Sequence, residues 1–125
     1  MKIRSSTLPG LTTNLIATRC HLALHAMRTA NGTASTAKTL LEVVIVSGLL
    51  AELGYGQMSE TTGRAAEATI RRVVISGLER GNWNFEEDEV QAICRIVAAF
   101  ERQLEATPAD EIEAAFEAAA KLGLS

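Results

Sequence analysis

From Leu40 to Leu53 the chain reads LLEVVIVSGLLAEL. As a helix, Leu40, Leu41, Val43, Val44, Ile45, Val46, Leu49, Leu50 and Leu53 would place apolar groups almost all round the cylinder. Such a helix has no face suited to water and must be surrounded by other elements. The β-branched residues also fit a buried strand through 43–46, but no partner strand is visible elsewhere, so helix is the reading kept. Glu42, Ser47, Gly48 and Glu52 interrupt the run, leaving it short of the ~20 apolar residues of a membrane span.

The rest of the chain supplies the company. Twenty alanines, two prolines and no sustained two-residue alternation favour helix throughout. A first helix is expected from about Leu11 to Thr29, with Ile16, Cys20, Ala23, Leu24 and Met27 on one stripe and Asn31-Gly32 as its stop. Ser35 or Thr36 can cap a second, about Ala37 to Leu53, which Gly54-Tyr55-Gly56 ends. Ser59 can cap a third, about Glu60 to Arg80, burying Ala66, Ile70, Val73, Val74, Gly77 and Leu78 and stopping at Gly81.

Asn84, with Glu87 three positions on and the acidic turn EEDE, opens a fourth helix that runs to about Ala106 with Val90, Ile93, Cys94, Val97, Phe100 and Leu104 inward. Thr107 as cap and Pro108 at the first helical position open a fifth, about Ala109 to Leu122, facing the core with Ile112, Ala115, Phe116, Ala119 and Leu122. Short loops imply antiparallel neighbours. The expected architecture is an all-α bundle of about five helices in a single domain over 1–125, with 1–10 a flexible leading segment.

A net charge of −3 lacks the cationic excess that nonspecific nucleic-acid binding draws on. The average hides a split: residues 1–58 carry five Lys/Arg against two acids, and residues 59–125 carry seven against thirteen. Two such halves can attract each other between subunits. Cys20 and Cys94 make no disulfide framework and read as small apolar residues of a reducing compartment. With no secretory signal apparent in MKIRSSTLPG, a cytoplasmic protein is expected.

Chemistry-bearing patterns are sparse. His21 and His25 stand four apart on one helix face, a spacing that can share a metal, but Thr18 and Arg28 on that face give it the character of a solvated surface. Glu86, Glu87, Asp88 and Glu89 serve the helix dipole. Neither cysteine sits in a CxxC, and there is no phosphate-binding glycine motif and no nucleophile elbow. The expectation is therefore no enzyme, no cofactor and no metal, and a protein that works by binding protein. Tyr55 and Trp83, aromatics in glycine-flanked loops, suit either wedges that fill the end of the bundle, the usual role, or anchors in an interface. As anchors they are the candidate interface residues beside the acidic fourth and fifth helices. Because the second helix needs more cover than one chain readily supplies, a homodimer is expected as well.

The alternative is a DNA-binding regulator. LLAELGYGQMSETTGRAAEATIRR, around residues 49–80, outlines a helix-turn-helix with Arg64, Arg71 and Arg72 as contacts, although its connection is long and its reading helix carries Glu60, Glu67 and Glu79. LLAELGYG, ERGNW and QLEATP, within residues 40–108, also resemble a group of short, uncharacterised all-helical proteobacterial proteins, some from mobile elements. That resemblance implies a bacterial protein and a regulatory role.

Overall fold

The apolar run around residue 45 is packed against other helices on most of its circumference, with Ile45 and Leu49 only half-buried. The computed structural model describes residues 10–29 and 31–124. The order is α1 (Gly10–Arg28), α2 (Ala34–Glu52), α3 (Glu60–Arg80), α4 (Glu87–Ala106), α5 (Ala109–Ala119) and a π-helical close over Ala120–Leu124, with no strand among the described residues. The chain is an all-α bundle. The segment expected to lead the domain over 1–10 lies outside the described residues apart from Gly10.

Helix α2 is the hub: α1, α3, α4 and α5 all pack on it, as does the π-helical close. Leu40, Val46 and Leu50 are fully buried, and Val43 and Val44 nearly so. A β-branched residue costs a few tenths of a kcal/mol in a helix, whereas burying its side chain returns about 1.5–3 kcal/mol. Burial decides, and 43–46 is helical. By length and mean hydropathy of 1.5, α2 also meets the description of a membrane-crossing helix. The expectation that it falls short is corrected to that extent: what sets it apart here is the cover of four neighbouring helices.

Helix ends follow local chemistry, with three departures. Ser59 caps α3 by accepting from the Thr62 N–H at 3.1 Å, and Gly81, at φ 74°, closes it. Gly54, at φ 92°, closes α2: its N–H donates to the Ala51 carbonyl while the Tyr55 N–H reaches Leu50 at 2.9 Å, a Schellman arrangement. At the start of α2, however, neither Ser35 nor Thr36 is the cap. Thr33 and Thr36 exchange side-chain and backbone hydrogen bonds at 2.9 and 3.2 Å, and the helix begins three residues early.

Glu86 replaces Asn84 as the cap of α4, with its N–H donating to Glu89 Oε1 at 2.8 Å. Phe85 and Val90, both buried, occupy the positions of a hydrophobic staple on either side of that cap. Thr107 does not open α5. Its buried hydroxyl turns back to the Gln103 carbonyl at the end of α4, and Pro108 takes the capping position.

Two core expectations are overturned. Leu78 is 72% exposed because the buried side of α3 is the narrow row Gly63, Ala66, Ile70, Val73 and Gly77, and Leu78 lies about 100° further round the cylinder. Leu122 is 62% exposed: α5 ends at Ala119, and the wider π turn takes Leu122 out of the row formed by Ile112, Ala115 and Ala119. Conversely Ile96 is buried, because α4 packs on α1, α2 and α3 and so buries more than one stripe.

Candidate protein interface

Four neighbours cover α2 except along one strip. Gly48 in α2 and Gly63 in α3 have no side chains to fill the space between the two helices, and the Met58 methyl lies over both: a Cβ at either glycine would come within 3.3 and 2.9 Å of it. The resulting groove holds about 430 Å³. Half-buried Ile45 and Leu49 contribute to its apolar lining, Met58 lies at one side and exposed Leu122 at its mouth. Glu52, Glu60 and Glu67 line it too, against a single cation, Arg64, so the groove is apolar with an acidic border. Methionine, with three rotatable bonds and a polarisable sulfur, adapts readily to an incoming surface.

The two aromatic candidates are engaged within the chain. Trp83 is half-buried with its indole over Gly77, where a Cβ would come within 2.1 Å of the ring, and with its own Cβ and carbonyl against Gly32. Tyr55 is half-buried, and its carbonyl accepts from Gln103 Nε2 at 2.9 Å. Gln103 is itself enclosed: Nε2 also donates to the Ser47 carbonyl at 3.0 Å, and Oε1 accepts from the Ser47 hydroxyl at 2.5 Å. This satisfied amide ties α2, the α2–α3 turn and α4 together. The acidic α4 and α5 expose Glu105, Asp110, Glu113 and Glu117.

Each arginine proposed for DNA meets a carboxylate. Arg64 pairs with Glu60 and Arg71 with Glu67 along α3, while Arg72 reaches Glu89 of α4. The first two are the pairs that the four-residue, acid-first spacing favours. His21 and His25 are both exposed; His21 Nε2 lies 2.7 Å from Glu101 Oε1, and among the described residues no three metal-ligating side chains come together.

Cys20 is buried, and loss of solvation pushes its thiol up from 9.0 to about 11, against a smaller opposing pull from Arg19. Its pKa is higher folded than unfolded. The stability this represents, about 3 kcal/mol, is therefore fully present below pH 9 and is lost as pH rises through about 11. At pH 8 a thiol reagent is expected to label half-buried Cys94 in the native protein and Cys20 only after denaturation; equal labelling rates would contradict the burial of Cys20.

The groove residues Ile45, Leu49, Met58 and Leu122 were not singled out as a site in the sequence. Gly48, a glycine inside an apolar helix, was the one available signal. Comparison with known proteins adds no functional assignment: no family model, no curated protein and no solved structure matches this chain.

Proposed function

We propose that the protein is a non-enzymatic, protein-binding module that associates with a second copy of itself, with the α2–α3 groove as the contact surface. The observation that carries this reading is the apolar strip of the central helix at Ile45 and Leu49, left half-buried beside the Met58 methyl, with Leu122 exposed next to it. Scattered exposed leucines are ordinary on soluble proteins; an open groove into the hub of a bundle is less so. Duplex DNA has less support, because Arg64, Arg71 and Arg72 are each held by an acid and the same helix carries Glu60, Glu67 and Glu79.

Light scattering across a concentration series tests the proposal. The wild-type mass is expected to rise above the 13.4 kDa monomer, and Leu122→Lys to weaken association about tenfold, roughly 1.4 kcal/mol. A mass fixed at the monomer up to about 1 mM would end the proposal.

A further inference from the structure

Self-association through the groove leaves open which surface of the second copy enters it. The candidate surfaces differ in charge. Glu60 and Glu67 are paired with Arg64 and Arg71, but the lining still holds Glu52, Glu60 and Glu67 against Arg64 alone. A groove set against another groove would therefore bring two net-negative linings together, Glu52 foremost, which opposes the contact. The favoured occupant is apolar and basic.

Helix α1 presents such a surface. Leu15, Thr18, Leu22, His25 and Thr29 are all exposed and follow a four-three spacing, opposite the side that buries Cys20, Ala23, Leu24 and Met27. Leu15 and Leu22 are 62% and 64% exposed. No acidic residue occurs in α1, whereas Arg19, His21, His25 and Arg28 lie along it. Arg19 stands 3.9 Å from Glu42 and His21 bonds Glu101, leaving exposed Arg28 to set the charge of the outer face. Paired with another α1, this face would meet its own positive charge. Dimensions agree as well: Leu15 and Leu22 are seven residues apart, about 10 Å along a helix, and the groove follows α2 from Val44 to Glu52, an eight-residue rise of about 12 Å that is long enough to take both.

We infer that the α1 outer face of one copy docks into the α2–α3 groove of the next, Leu15 and Leu22 entering the apolar strip and Arg28 meeting its acidic border. This rests on the self-association proposed above and specifies its geometry. The contact is heterologous, since the two participating surfaces are different. A pair made by one such contact retains one free groove and one free α1 face, so assembly continues past two unless it closes into a ring.

Complementation tests this arrangement. The pair Leu15→Glu/Leu22→Glu spoils the α1 face, and Glu60→Lys/Leu122→Lys spoils the groove; all four positions are exposed, and circular dichroism checks the fold. Each variant alone is expected to be monomeric, and their equimolar mixture to form a dimer joining the intact α1 face of one to the intact groove of the other. Arg28→Glu, a milder surface change, is expected to weaken wild-type assembly at least threefold, and added salt to weaken it further. If wild type associates but the α1 variant does so equally well, or if the mixture stays monomeric, the head-to-tail contact is wrong and self-association stands. A wild type that is monomeric throughout removes the underlying reading instead.

Discussion

Gly77→Ala is expected to lower the melting temperature by about 10 °C, a loss of roughly 2–3 kcal/mol. In an exposed helix interior the same change would stabilise by up to about 1 kcal/mol, because alanine is the better helix former. Here the new methyl would lie 2.1 Å from Trp83 Cδ2, and the indole has little room to retreat, because its own Cβ already sits against Gly32. Steric overlap therefore outweighs propensity. The decisive form of the experiment is a double-mutant cycle by thermal denaturation. With Trp83→Ala in place, Gly77→Ala should become neutral or stabilising. A single Gly77→Ala variant that melts with wild type would mean the ring is not seated there.

Gln103→Leu is expected to cost about 3 kcal/mol in chemical denaturation despite its similar bulk. It removes the acceptor of the Ser47 hydroxyl and both donations of the amide, leaving the Tyr55 carbonyl without that donor in a part-buried site. Adding Ser47→Ala should recover about 1 kcal/mol by deleting the stranded hydroxyl. Recovery should be incomplete, because the Tyr55 carbonyl is still unanswered. No loss in the single variant would show that the amide is dispensable to the junction of α2, α4 and the intervening turn. Gly56 belongs to the same junction: at φ 83°, with Gln103 Cγ 2.7 Å from where a Cβ would stand, it admits no side chain without displacement.

These two junctions mark where the sequence stops being legible. Features made by neighbours in the chain could be read, such as the Ser59 cap, the Gly81 stop and the Glu60–Arg64 and Glu67–Arg71 pairs. The Thr33–Thr36 box was missed because a threonine stands where glutamate or glutamine is usual. Leu78 and Leu122 were placed inward by a regular period, but their exposure depends on how far the neighbours of α3 extend and on a widened last turn. Gln103 reads as an ordinary polar position on α4, since its partners lie 48 and 56 residues away. The groove was hidden for a similar reason: Gly48 and Gly63 form a depression only when two helices bring them side by side. Of the residues singled out for binding, Tyr55 and Trp83 help to pack the chain, and the groove proposed for contact is lined in part by Ile45, Leu49 and Leu122, which first read as core.

The central position of α2 also sets the timing of exposure to solvent. Its neighbours come from before and after it in sequence, so peeling away a single terminal helix still leaves three others in place. Backbone amides in the middle of α2 consequently exchange with solvent chiefly when the whole molecule opens, whereas those at the outer ends of α1 and α5 respond to smaller fluctuations. A bundle arranged in this way shields all of its most apolar segment except the groove strip until global opening, at which point the remainder becomes accessible together.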